Sequence, residues 1–170
     1  DAFGREAVAF IERHRAEPWF LYLAFNAVHT PMQATDDRLA KFPDIADKKR
    51  RTYDAMMLAM DEAIGRVRQK LADAGLEQNT FVCFISDNGG PTWQTTSSNG
   101  PLNGVKALVL EGGIRVPSIF RWTGALPAGK VISTLAMEFD VTATALGVAG
   151  APTDRKLDGV NLMPFLKGEK

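Results

Sequence analysis

One cysteine, Cys83, stands among the 170 residues, which excludes an internal disulfide and a cysteine-built zinc cluster. Cys83 lies inside an apolar run and reads as a small core residue. Net charge is also missing: twenty basic residues balance twenty acidic ones. The balance gives no electrostatic case for nucleic acid or an anionic membrane as partner. No run approaches the ~18 apolar residues that a transmembrane helix needs. The opening DAFGREAVAFIERHR mixes charges through its apolar positions, unlike a signal peptide, and the compartment stays open. Internal repeats and low-complexity tracts are lacking too.

What is present is an ordinary globular composition, 45% hydrophobic and 24% charged, enough for a sizeable core in one domain or a large piece of one. Phe3, Ala7, Phe10, Ile11 and His14 recur at helical spacing, with Asp1 as a candidate N-cap, and Pro18 stops the pattern. WFLYLAF, Trp19 to Phe25, is short and continuously apolar, the mark of a strand buried on both faces in a parallel sheet. Residues 32–49 read as surface loop with short helical turns. From about Arg51 a long helix carries the stripe Tyr53, Met56, Met57, Met60, Ile64, Val67 and Leu71, and Gly75 stops it.

Thr80 to Ser86 is a second buried strand. Ile114 to Trp122 is a third, with Pro117 implying an edge or a bulge. Between them PTWQTTSSNGPLNG, residues 91–104, forms a long polar loop of functional length. Asp140 is expected to cap a short helix, Val141 to Val148, and the tail from Leu157 to be mostly irregular. Alternating strands and helices predict an α/β fold with a mostly parallel sheet flanked by helices. Ligands of such sheets gather outside the carboxyl ends of the strands.

Two polar clusters follow strands directly: Asn26-Ala27-Val28-His29, and Asp87-Asn88-Gly89-Gly90. Asp-Asn-Gly-Gly reads either as a turn or as half a metal site. A carboxylate and an amide oxygen are hard ligands suited to Ca²⁺ or Mg²⁺, and the glycines let the backbone fold around them. Two ligands are few for Ca²⁺, which takes about six to eight oxygens. His29, in His-Thr-Pro, reads as a surface histidine or as a group that holds an anion and protonates a leaving group. Lys106, after a glycine-rich stretch, reads as a solvated lysine or as a point charge for an anionic substrate. The phosphate-loop pattern is not met, because Gly100 and Gly104 are too close together and Val105 precedes the lysine. His14, on a helix flank, carries only a surface reading.

Taken together, FLYLAFNAVHTP, RRTYDAMMLAMDEAIGRV, NTFVCFISDNGG, NGPLNGVKALVLEGGIRVPSIFRW and LDGVNLMPFLKGE, in this order, resemble the type I sulfatases (arylsulfatases) of the alkaline phosphatase superfamily. The resemblance implies a metal-dependent hydrolase of sulfate esters and a partial alkaline phosphatase-like catalytic domain over residues 1–170. It implies a divalent cation, Ca²⁺ in most of the family, and a formylglycine made from cysteine or serine in C/S-x-P-x-R. Carried over by motif, Asp87 and Asn88 are metal ligands. His29 binds sulfate and protonates the leaving oxygen, and Lys106 binds a sulfate oxygen.

The departures are specific. C/S-x-P-x-R does not occur; Cys83 is followed by Phe84-Ile85-Ser86-Asp87 and is not the nucleophile. Asp36-Asp37 follows a polar loop and does not fit the family's early acidic pair, and Ala107-Leu108 stand where a small and a hydroxyl residue are common. The basic cluster near the nucleophile and the small C-terminal domain are also missing. The expectation is therefore an internal piece of a sulfatase, inactive alone, with uncovered strands that favour self-association. Two alternatives stand beside it: a phosphate or phosphonate ester hydrolase of the same superfamily, and a non-catalytic folded module. The alcohol part of the substrate is left open, with Trp93 a candidate for its pocket.

Overall fold

A computed structural model describes residues 2–152 and 156–169. Asp1, the candidate N-cap, lies outside the described residues. The chain forms two compact units: one runs to Leu76 and resumes over Asn88–Arg115, the other comprises Glu77–Asp87 and the chain from Val116 onward.

In the first unit, α1 (Ala2–His14) packs on α3 (Lys48–Asp73). The buried face of α1 is Gly4, Ala7 and Ile11, while Phe3 is 45% exposed. The helices cross closely: a Cβ at Gly4 would lie 2.9 Å from the Ala63 Cβ. On α3 the buried residues are Ala55, Ala63 and Leu71, so small side chains mark the contact; of the expected stripe only Leu71 is buried, and Met57 is exposed. The Asp47 carboxylate caps α3, accepting from the Arg50 amide at 2.6 Å, so the helix begins before the expected Arg51. Gly75, at φ +68°, ends it as expected: its N–H donates to the Ala72 carbonyl, and Leu76 N–H to Leu71, a Schellman closure. Between these helices α2 (Asp36–Leu39) is one of the expected short turns. Its Arg38 donates to Glu62 of α3 at 2.6 Å.

Trp19 to Phe25 is not the doubly buried strand expected. It is extended, but no ladder runs along it among the described residues, and Phe20 and Tyr22 are 76% and 81% exposed. The opposite side is half-buried, with Trp19 edge-on to Phe10 and Phe25 edge-on to Phe3. A continuous apolar run states only that the segment is extended and greasy; a strand also needs a partner backbone.

The long polar loop holds one turn of helix, α4 (Thr92–Thr95), and α5 (Glu111–Ile114) follows Lys106. The basic run Lys48-Lys49-Arg50-Arg51 fastens loops to α3. Lys49 donates to the Trp93 carbonyl at 3.0 Å, Arg50 to Thr96 at 3.0 Å, and Arg51 to Ile45 at 2.8 Å.

In the second unit, β1 (Val82–Ile85) and β2 (Ser118–Arg121) pair with Cys83 opposite Phe120 and Phe84 opposite Ile119. Both strands are shorter than expected. Their pairing is antiparallel, so the expectation of a mostly parallel sheet is not met in this ladder, although the mixed helix and sheet content keeps the α/β class. Pro117, which has no N–H to give, stands just ahead of β2 and contributes its carbonyl to Ser86. Phe81 stacks on Phe120 with ring centroids 5.9 Å apart. Cys83 is half-buried rather than part of the buried core, and that burial pushes its thiol up to about 11.

The next helix, α6 (Glu138–Val148), starts three residues before the expected Val141. Asp140 therefore lies inside its first turn. Its carboxylate still caps it, accepting from Met137 N–H at 2.7 Å, and also holds Val160 N–H at 2.8 Å. Thr144 hydroxyl accepts from Leu162 N–H at 2.9 Å. These bonds dock the tail, which forms α7 (Met163–Lys167) where irregular chain was expected. Gly168, at φ +85°, ends that helix.

Candidate active site

His29 and Lys106 are 77 positions apart in sequence, yet Lys106 Nζ lies 3.3 Å from His29 Nε2. Both belong to the first unit. His29 sits between two cis peptide bonds, Ala27–Val28 and Thr30–Pro31. Its Nδ1 lies 2.7 Å from the Thr30 carbonyl, which only accepts. Nδ1 therefore carries the proton, and Nε2 offers its lone pair to the Lys106 ammonium, which only donates. The two contacts define one tautomer and aim Nε2 at the lysine.

Lys106 stands at the tip of a turn closed by Leu108 N–H to the Val105 carbonyl at 3.0 Å. Ala107, at φ +74°, takes the left-handed position that a type II turn requires there. The stem below this turn is built on direct backbone contact. Gly112 N–H donates to Asn103 at 2.7 Å and Gly89 N–H to Gly113 at 2.9 Å. A Cβ at Gly89 would meet the Gly112 oxygen at 1.8 Å, and one at Gly112 would meet the Gly104 oxygen at 2.2 Å. Glycine alone permits this approach.

Asn88 precedes that stem in the same unit; its amide nitrogen donates to the Gly89 carbonyl at 3.1 Å. Asp87 closes the first segment of the second unit, two residues past β1, with an exposed side chain. A carboxylate and an amide oxygen suit a hard divalent cation, but two side chains do not complete its shell. Among the described residues no group of three or more His, Cys, Asp or Glu is arranged to hold a metal.

The residue missed in the sequence is Asn99. In Ser-Asn-Gly it reads as a turn former, but its amide bonds both the N–H and the carbonyl of Gly90, at 2.8 and 3.0 Å, and the Gly104 carbonyl at 3.0 Å. The length of the loop was the only signal for it. Trp93, on α4, is 63% exposed. His14 pairs with Glu17 at the end of α1, in keeping with its surface reading. No helix among the described residues is long and apolar enough to cross a membrane.

The protein-family model described as Sulfatase matches residues 1–151. The N-acetylgalactosamine-6-sulfatase of Canis lupus familiaris is 36% identical over 171 residues, covering 96% of this chain and 32% of that protein. Arylsulfatase D of Homo sapiens is 39% identical over 173 residues, covering 96% of this chain and 28% of that protein. The chain thus spans about a third of the length of these curated relatives. Among solved structures, that of Ps i-CgsB in complex with k-i-k-neocarrahexaose superposes with a TM-score of 0.91 at 41% identity, covering 96% of this chain and 37% of that one.

Proposed function

This chain belongs to the sulfatase family, and from that premise we propose that it is part of the catalytic domain of a sulfate-ester hydrolase, with Lys106 and His29 handling the transferring group. The observation that carries the reading is the 3.3 Å contact between Lys106 Nζ and His29 Nε2. A cationic donor and a ring nitrogen able to take up and pass on a proton, on one small locus, are the two functions needed to bind a sulfate oxygen and release an alcohol.

Without substrate, Lys106 donates to His29 Nε2. A sulfate ester entering between them takes over the lysine: the ammonium turns to a sulfate oxygen. Nε2, relieved of that bond, takes a proton from solvent and directs it at the bridging ester oxygen. When the S–O bond to that oxygen breaks, its electron pair receives the Nε2 proton, the alcohol leaves and the ring returns to neutral. The Thr30 carbonyl holds Nδ1–H throughout, so the ring keeps its orientation. Asp87 and Asn88 are the proposed ligands of a divalent cation, Ca²⁺ by family resemblance, completed by donors from outside these residues. When bound, such a cation draws negative charge from the sulfate oxygens. The sulfur-attacking group is assigned to the part of the protein beyond these residues, since C/S-x-P-x-R does not occur among them.

The test uses the full-length protein that carries this chain, with a chromogenic aryl sulfate and the matching aryl phosphate. Lys106→Ala is expected to lower aryl sulfate turnover by about a hundredfold to a thousandfold, the usual loss for one electrostatic donor. Near-normal turnover in that variant overturns the assignment. Turnover of the phosphate ester in preference to the sulfate would replace the proposed substrate class.

A further inference from the structure

We infer that Asn99 is a positioning residue for Lys106: its amide clamps the loop ahead of the lysine to the turn that follows Asn88. The inference rests on the sulfate-ester reading of Lys106 given above.

The clamp is a matter of bond direction. The Asn99 amide oxygen accepts from Gly90 N–H at 2.8 Å, while its nitrogen donates to the Gly90 carbonyl and to the Gly104 carbonyl, both at 3.0 Å. One planar group thus uses its acceptor and both N–H bonds on backbone alone. Gly90 is two residues past Asn88, and Gly104 two residues ahead of Lys106. Neither glycine has a side chain with which to set its own place. Gly104, at φ +96°, is in a region open chiefly to glycine, so the local chain does not favour one course over others. The Asn99 bond selects the course that brings Lys106 out beside His29. Gly90 also packs against the side chains of Ser97 and Asn99, where a Cβ would come within 2.3 Å of the Ser97 hydroxyl. Lys49 and Arg50 hold the carbonyls of Trp93 and Thr96 earlier in the same loop, so Asn99 works from a fixed base on α3.

The chemistry of the residue is selective. Aspartate in its place would keep the acceptor for Gly90 N–H but set an oxygen against two carbonyls. Alanine would lose all three bonds. In either variant the Lys106 turn loses its tie to Gly104 while every atom of Lys106 and His29 remains.

The experiment is a double-mutant cycle in the full-length protein, read by aryl sulfate turnover and by the ring nitrogen resonances of His29 in long-range proton–nitrogen spectra. Asn99→Ala is expected to lower kcat by up to about a hundredfold, the scale of an ångström's misplacement. In the Lys106→Ala background the same change is expected to cost no more than about twofold, because the group it positions is gone. The Nε2 resonance of Asn99→Ala should move toward that of Lys106→Ala, while Nδ1, held by Thr30 rather than by the loop, stays in place. Equal losses in both backgrounds, or an unmoved Nε2, overturn the inference. Asn99→Asp, close in size, serves if the alanine variant does not fold; if neither folds, Asn99 is a structural residue and the inference falls. Near-normal turnover of Lys106→Ala would instead count against the sulfate-ester reading, and the Nε2 resonance would still judge the clamp.

Discussion

Gly89→Ala puts the backbone contact under the candidate site to a direct test. The added Cβ would stand 1.8 Å from the Gly112 oxygen, 2.7 Å from its carbonyl carbon and 2.9 Å from the Gly113 Cα. An ordinary carbon–oxygen contact is above about 3 Å, so the segments of this stem must part by more than about 1 Å, and no rotamer change relieves a clash with backbone. Overpacking of this kind costs about 1–3 kcal/mol. The Gly89 N–H bond to Gly113, now 2.9 Å, adds about 1 kcal/mol when it is lost. A total near 3 kcal/mol lowers Tm by about 6–12 °C in a chain of this size. Because the same stem leads to Lys106, turnover should fall by about a hundredfold as well. Gly65→Ala is the control: it lies in α3 with nothing within 4 Å of its Cβ, and should hold or raise Tm, by up to about 1 kcal/mol of stability. Thermal unfolding of the chain, and aryl sulfate turnover of the full-length protein, each with the two substitutions, read both effects. A Gly89→Ala protein with the melting point and turnover of the parent would refute the argument that direct backbone contact builds this stem.

Asp87→Ala is expected mainly to weaken divalent cation binding, with turnover of the full-length protein partly restored by excess Ca²⁺; a loss indifferent to cation concentration would make Asp87 structural. Asp140→Ala removes a buried carboxylate from two backbone N–H groups and should cost about 3 kcal/mol in urea unfolding, against almost nothing if the tail is held by its apolar contacts alone. The Cys83 thiol, raised by burial from 9.0 to about 11, should resist alkylation at pH 8 in the folded protein and react in urea. Because its folded value lies above its unfolded one, its contribution to stability is intact below about pH 9 and falls as pH rises toward 11; Cys83→Ala should flatten that part of the stability curve, and an unchanged slope would assign the alkaline loss elsewhere.

The features legible from sequence are those decided by neighbours in the chain. The spacing of apolar residues places α1 and α3, because a helix closes its hydrogen bonds within four residues. Gly75 ends α3 because only a residue tolerant of positive φ closes a Schellman turn there. The order of the motifs carries the resemblance by which His29, Lys106, Asp87 and Asn88 are proposed as the chain's chemical groups. Tertiary structure decided whatever needs a partner distant in sequence. Trp19–Phe25 has the composition of a buried strand, yet composition cannot supply the backbone that would pair with it. The antiparallel sense of β1 and β2 follows from the course of a 32-residue connection, residues 86–117, not from either strand's residues. Asp140 and Thr144 hold Val160 and Leu162 across intervals that no periodicity marks. The contact of His29 with Lys106, and the clamp that Asn99 places behind it, join residues through donor and acceptor directions, which exist only once the backbone has taken its path.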